Sequence, residues 1–144
     1  MKTVDTYEYV SMLRELTEDG KEVSMTIAGS SMAPFLVHQR DAICFKKPDR
    51  ELRRGDMVFY QRQNGRYVMH RIHKVKPEGY YIVGDAQCEI EGPVGREQIF
   101  AIVTKVQRKG KWIQAGDFWW EFFEHVWIRV VPFRRIIVKM YAKM

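Results

Sequence analysis

The stretch Asp56–Lys76, DMVFYQRQNGRYVMHRIHKVK, decides the fold of this chain. Hydrophobic and polar residues alternate on both sides of Asn64-Gly65, a pattern typical of β-strands that bury one face. An Asn-Gly pair between two such runs is a strong signal for a β-hairpin. The stretch therefore predicts two antiparallel strands, Asp56–Gln61 and Tyr67–Lys76, joined by a tight turn.

The same two-residue period extends to both sides of this hairpin. It predicts further strands at Val23–Ala28, Ala42–Lys46, Tyr80–Val83 and Ile99–Arg108. Residues 5–19 instead carry apolar side chains at helical spacing, and Gly20 can end a helix there. We therefore expect a mainly β, many-stranded antiparallel fold with a short N-terminal helix and a C-terminal helical arm.

A length of 144 residues fits one domain of ordinary size. We divide it into an N-terminal helical part (1–22), a β body (23–113) and an aromatic, basic arm (117–144). Pro132 predicts that the arm consists of two helical pieces. Two uses of the arm stay open: packing on the β body or on a second copy of the chain, or lying in a membrane interface.

The positive charge of the chain belongs to its C-terminal end. Residues 105–144 contain nine Lys and Arg but three Asp and Glu, a formal charge of +6, which equals that of the whole chain. The first 104 residues are therefore formally neutral. This distribution argues against a nucleic-acid groove over the β body and favours a local anionic contact near the arm.

Composition gives no sign of a metal, a cofactor or a disulfide. Cys44 and Cys88 lie far apart without metal-ligand spacing, so we expect two reduced thiols. The four histidines form no recognisable ligand cluster.

The first 20 residues lack the apolar core of a signal peptide, and no apolar run is long enough to span a bilayer, so we expect a cytoplasmic protein.

Four short stretches carry the residues that suggest chemistry. We call them the serine box, the Arg-Gly-Asp box, the histidine box and the Gly-Asp box, and they are Gly29–Leu36, Arg54–Phe59, Met69–Ile72 and Val83–Ala86. Together they supply a serine, a histidine and an aspartate, which is the set that acyl transfer needs.

In the serine box the candidate nucleophile is Ser31. Ser30 competes with it, but in an extended chain the two side chains point to opposite faces. Pro34 turns the chain away, which can hold a serine at the mouth of a cleft. We expect Gly29, Ser30, Met32 and Pro34 to line the cleft and the oxyanion site around Ser31.

A serine hydroxyl needs a base, and the candidate is His70. In an extended strand His70 shares a face with Ile72, whereas Arg71 and His73 share the other face. We therefore expect His73 to be a packing or solvent-facing histidine.

Asp85 is the candidate acceptor of the second ring N–H of His70. Such a carboxylate fixes the tautomer and stabilises the imidazolium that forms during attack. Glu89 and Glu91 are alternatives for this role.

The order Ser-Met-x-Pro, Arg-Gly-Asp, His-Arg-Ile and Gly-Asp-Ala resembles the type I signal peptidases and the related LexA-like self-cleaving proteases. The resemblance covers residues 27–106. It is to the branch with a histidine base, and it implies Ser31 as nucleophile, His70 as base and Asp85 as the acidic residue. The chain departs from the family in several ways: Gly29 stands where a serine is common, Phe35 stands where a small threonine is usual, and only Glu89 or Glu91 is available as a second acidic residue. We also expect no transmembrane anchor, which the signal peptidases normally have.

The resemblance implies a serine endopeptidase that cleaves an extended peptide or a precursor protein, with small residues before the cut. Two alternatives remain. One is a peptide- or membrane-binding module without catalysis. The other is a LexA-like self-processing regulator, which would need a DNA-reading domain that residues 1–22 cannot hold. The arm, residues 117–144, would supply any peripheral membrane contact.

Overall fold

The computed structural model describes residues 6–27, Met32 and residues 35–129. The predicted helix is present as α1 (Thr6–Glu18). Its end is closed by Gly20, which adopts a φ of 83° and donates to the carbonyl of Thr17. Such a left-handed residue is the usual end of a helix, and glycine adopts it without strain.

Within the described residues, eight strands form one antiparallel sheet. Their bounds are β1 (Val23–Thr26), β2 (Ala42–Lys46), β3 (Met57–Gln61), β4 (Tyr67–Lys76), β5 (Gly79–Val83), β6 (Glu91–Val94), β7 (Ile99–Arg108) and β8 (Lys111–Gln114). The spatial order is β1-β2-β7-β3-β4-β5-β6, and β8 also pairs with β7. The expected mainly β, antiparallel architecture is confirmed.

All six predicted strands are present, and so is the hairpin at Asn64-Gly65, where Gly65 takes a φ of 91°. The sequence reading missed β6 and β8. β6 contains Gly92 and Pro93, which are unusual in a strand and are accommodated because β6 lies at the edge of the sheet. β8 has only four residues, too few for a clear alternation.

Each face of the sheet carries its own hydrophobic cluster. α1 and the serine-box residues Met32, Phe35 and Leu36 pack on one face together with Phe59. The other face carries a smaller cluster built on β3, β4, β5 and β7, with members Leu52, Val58, Tyr60, Ile72, Ile82, Val94, Ile99 and Ile102. Neighbouring residues of β4 therefore face different surroundings, which matters for the site described below.

The described part of the arm is a short helical segment packed on the β body. It comprises α2 (Phe118–Glu121) and a π-helical turn (Phe122–Val126). Phe123, Trp127 and Ile128 are buried, whereas the helix also leaves large apolar side chains exposed, namely Phe118, Trp119 and Val126. The predicted division at Pro132 lies outside the described residues. No helix in the described ranges is both long enough and apolar enough to cross a bilayer.

Gly55 marks where the arm touches the β body. Its φ is 95°, and a Cβ there would lie 2.6 Å from both Cγ and the carbonyl oxygen of Glu124. Gly110 has a similar φ of 81° but open space around it. The two glycines thus share a left-handed backbone and differ in the contact with the arm.

We expect Gly55→Ala to destabilise the fold by roughly 1–3 kcal/mol more than Gly110→Ala, because the new methyl group must displace the Glu124 backbone. Both variants carry the common strain of a left-handed alanine. Urea unfolding followed by tryptophan fluorescence measures the difference. Equal losses in the two variants would show that the arm does not rest on Gly55.

Candidate active site

Arg71 is the centre of the candidate site. It lies in β4 opposite Met57 of β3 and Val83 of β5, and only 1% of its surface is exposed. Its Nε and Nη2 atoms donate to the two carboxylate oxygens of Asp85 at 2.9 and 3.0 Å. This two-point geometry is the strongest pairing available to a guanidinium, and a buried charge needs such a partner.

The same guanidinium reaches the other boxes. Its Nη1 donates to the carbonyl oxygen of Gly55, in the Arg-Gly-Asp box, at 2.9 Å. Its Cζ lies 5.5 Å from the ring centre of Phe35, in the serine box. Because Arg71 itself belongs to the histidine box and Asp85 to the Gly-Asp box, all four boxes meet at one side chain.

Asp85 is fully buried at the end of β5, and its partners differ from the predicted one. Both of its carboxylate oxygens accept hydrogen bonds from Arg71, and its backbone carbonyl accepts one from Trp127 Nε1 at 2.8 Å. His70 lies next to Arg71 in β4 and therefore points to the opposite face. The described contacts thus correct the expected His70–Asp85 pair: Asp85 fixes Arg71 instead.

His70 is directed toward the smaller cluster. It lies opposite Val58 of β3, its ring packs edge-on against Tyr60 at 6.4 Å, and 5% of its surface is exposed. Burial, helped by the charge of Arg62, lowers the pKa of His70 to about 4, although the charge of Glu91 opposes the shift. His70 is therefore neutral at physiological pH, and no described residue hydrogen-bonds to its ring.

Glu91, one of the two alternative acids, lies near His70 in β6. It accepts hydrogen bonds from Tyr60 Oη at 2.9 Å and from Arg62 Nη2 and Nε at 2.8 and 3.0 Å. Burial alone would raise the pKa of Glu91, but these hydrogen bonds outweigh burial and lower it. Glu91 is consequently a carboxylate at neutral pH, and its charge favours a protonated His70.

A cavity of about 420 Å³ opens beside this acid. Arg62 and residues 86–91 line it, and they include the second alternative acid, Glu89, and the half-buried thiol of Cys88. Glu89 itself is exposed to solvent. The cavity therefore places a polar, partly charged surface next to the His70 side of the sheet.

The serine box is described only in part. Met32 and Phe35 are buried, and Phe35 stacks on Phe123 of the arm with ring centres 4.7 Å apart. The candidate nucleophile and its expected neighbours Gly29, Ser30, Ser31 and Pro34 lie outside the described residues. The expected line from the Ser31 hydroxyl to His70 therefore stays a prediction.

Asp56 lies in the Arg-Gly-Asp box, and His73 follows the histidine box by one residue. Asp56 shapes the turn before β3, because its carboxylate accepts hydrogen bonds from the Arg53 backbone N–H and from the Arg50 guanidinium. His73 is half-buried as a packing residue, but a register shift between Ile72 and Lys74 interrupts the alternation on which its facing was predicted.

Arg71 is the important residue that the sequence reading missed. Its signal was present, because it follows His70 directly in a strand that buries both faces at this point. An arginine in such a position needs a buried carboxylate, and Asp85 is the aspartate of the next box.

No family model, no curated protein and no solved structure matches this chain.

Removing one partner of the Arg71–Asp85 pair should be costly. We expect Asp85→Asn to lower the free energy of unfolding by about 3–5 kcal/mol, because it leaves a buried guanidinium uncompensated. Asp49→Asn, which breaks the exposed Lys46–Asp49 pair, should cost far less, because solvent screens an exposed pair. Urea titration measures both, and a loss at Asp85 no larger than at Asp49 would contradict the central role of the pair.

The neutral state of His70 predicts acid sensitivity. The unfolded chain binds a proton at this histidine near pH 6.5, whereas the folded chain does so only near pH 4, so stability falls as the pH drops through this window. Between pH 7 and 4.5 we expect His70→Gln to lose about 2 kcal/mol less stability than the wild type.

Unfolding curves at several pH values test this expectation. His38→Gln, the same change at an exposed histidine, is the matched control for the loss of one imidazole. If His70→Gln and His38→Gln show identical pH dependence, burial does not keep His70 neutral.

Proposed function

We propose that this protein is a serine endopeptidase in which Ser31 attacks the peptide carbonyl and His70 is the general base. The observation that supports the proposal is the meeting of all four boxes at Arg71, which follows His70 in β4 and whose side chain lies on the opposite face of the strand. Stretches that are distant in sequence and each hold one chemical group are expected to converge when they serve one reaction.

In the proposed reaction the Ser31 oxygen bonds to the carbonyl carbon while His70 takes the hydroxyl proton. The tetrahedral intermediate collapses when the C–N bond breaks, and His70 returns the proton to the leaving amine. Water then attacks the acyl-enzyme by the same route in reverse. The Ser31 backbone N–H and Ser30 would stabilise the oxyanion, and Gly29 adds no hydroxyl there.

Two acids support this reaction in different ways. Glu91 acts through its charge, which favours the imidazolium that forms when His70 takes the proton. Asp85 is a positioning residue, since it fixes Arg71 and thereby the strand that carries His70. This division replaces the single acid of the expected triad.

The proposed substrate is an extended peptide or precursor protein. β1 lies at the edge of the described sheet, with β2 as its one neighbour there, and it leads directly into the serine box. An edge strand offers unpaired backbone groups to which an extended chain can add. The preference for small residues before the cut rests on the family resemblance alone.

The proposed site of action is the cytoplasm, with peripheral contact to a membrane through residues 117–144. The support is the exposure of Phe118, Trp119 and Val126 on an arm whose lysines and arginines follow from Arg129 onward. Neither nucleic acid nor a cofactor has a part in this proposal.

A peptide library scored by mass spectrometry tests the peptidase proposal. We expect the wild type to cleave, and Ser31→Ala to lose essentially all activity. His70→Gln should reduce kcat/KM by about 10²–10⁴, the usual contribution of a general base. Because the pKa of His70 is about 4, kcat/KM should stay level from pH 8 down to about 5.

Ser11→Ala is a matched control, because Ser11 lies on α1, is hydrogen-bonded to Tyr67 of β4 and stands outside the four boxes. Cleavage by Ser31→Ala at the wild-type rate would refute the nucleophile.

One observation favours a second function, a peptide-binding module without hydrolysis: the aspartate expected to orient His70 is already committed to Arg71. This alternative predicts that the wild type and Ser31→Ala bind the same peptides with equal affinity and that neither cleaves them.

A further inference from the structure

A group of three metal-ligand side chains lies on the helical segment of the arm, away from the four boxes. Glu121, Glu124 and His125 each place one donor atom within 4.8 Å of the other two. The His125 Nε2 atom is 3.0 Å from Glu121 Oε2 and 3.6 Å from Glu124 Oε2. Two carboxylates and one imidazole thus point to a common centre.

Glu124 is the most buried of the three side chains, and its carboxylate has few partners. Its side chain is 9% exposed, and outside this group no described residue forms a hydrogen bond or ion pair with its carboxylate. A buried carboxylate without such a partner is costly, and a bound cation is one way to compensate it.

The β body and the loop before α2 hold two of the three side chains in place. The backbone of Glu124 rests against Gly55, which leaves no room for a side chain between them. The Gly116 N–H donates to Glu121 Oε1 at 2.8 Å and leaves Oε2 directed at His125. The π-helical turn Phe122–Val126 widens the helix here, a feature frequent at functional sites.

We propose that Glu121, Glu124 and His125 bind one divalent transition-metal ion of the zinc class, with water completing the coordination. Three protein ligands of nitrogen and oxygen are a common zinc donor set. Mg²⁺ fits poorly, because it prefers oxygen ligands alone in an octahedral arrangement. The sequence reading expected no metal because it looked for histidines and cysteines, and this set contains one histidine and two glutamates.

The metal would hold the arm segment in the shape that contacts the β body. Glu124 rests on Gly55, Phe123 stacks on Phe35, and Trp127 donates to the Asp85 carbonyl. An ion that joins three side chains of this segment stabilises all three contacts together. This proposal is independent of the peptidase proposal, since the metal ligands include none of the residues with a role there, namely Ser31, His70, Asp85 and Glu91.

The test is Zn²⁺ binding by the full chain after treatment with EDTA. We expect Zn²⁺ to raise the thermal unfolding midpoint, to saturate near one equivalent and to be reversed by EDTA, whereas Mg²⁺ has no effect. Calorimetry should show that Glu121→Gln and His125→Gln each weaken Zn²⁺ binding by at least about tenfold. Both side chains are partly exposed, so the variants should fold.

Two controls identify the site. Glu15→Gln, the same change at an exposed glutamate of α1, and Cys88→Ser, which removes the more accessible thiol, should both bind Zn²⁺ as the wild type does. The proposal is overturned if the wild type shows no saturable shift, if His125→Gln keeps the full shift, or if Cys88→Ser abolishes it.

Discussion

The buried ion pair between Arg71 and Asp85 is the constraint on which the rest of the site depends. Burying a guanidinium to 1% exposure costs much stability unless a carboxylate and further acceptors compensate it. Asp85 supplies two oxygens and Gly55 a carbonyl, so the ends of β5 and β3 must meet β4 at this point. The pair therefore fixes the relative positions of three boxes, and the ring of Phe35 brings in the fourth.

Because side chains alternate along a β-strand, the adjacent residues Arg71 and His70 point to opposite faces of the sheet. Arg71 points to the face that carries Phe35 and Phe123, whereas His70 points to the face with Tyr60 and Glu91. The two neighbours are therefore subject to different rules. Arg71 donates three hydrogen bonds, two of them to a carboxylate, while His70 is neutral and forms no hydrogen bond with a described residue. A neutral imidazole beside a carboxylate that favours its protonation is suited to accept a proton and return it.

Most of the β architecture could be predicted from the sequence, because alternation and turn residues act locally. The hairpin at Asn64-Gly65 and the strand pairing around it follow from a few adjacent residues. Strand β6 was not predicted, because it contains Gly92 and Pro93, which are unusual in strands. They are tolerated because β6 lies at the edge of the sheet, and that position depends on the tertiary fold. The opposite faces of His70 and Arg71 were predictable for the same local reason.

The partners of the charged residues could not be predicted in this way. The order of the boxes identified Asp85 as important, but a carboxylate can pair with an imidazole or with a guanidinium. Asp85 pairs with Arg71 because the guanidinium offers two parallel N–H bonds to the carboxylate in a buried site. The pairing of β5 with β6 brings Glu91 close to His70. No motif in the sequence predicts this proximity.

The central claim is that folding around Arg71 sets a neutral His70 to activate Ser31. The most direct test is to treat the protein with a fluorophosphonate, which labels activated serines, and to locate the adduct by peptide mass mapping. The account predicts a single adduct on Ser31 that is lost in His70→Gln. An adduct on another serine, no adduct at all, or equal labelling of His70→Gln would contradict it.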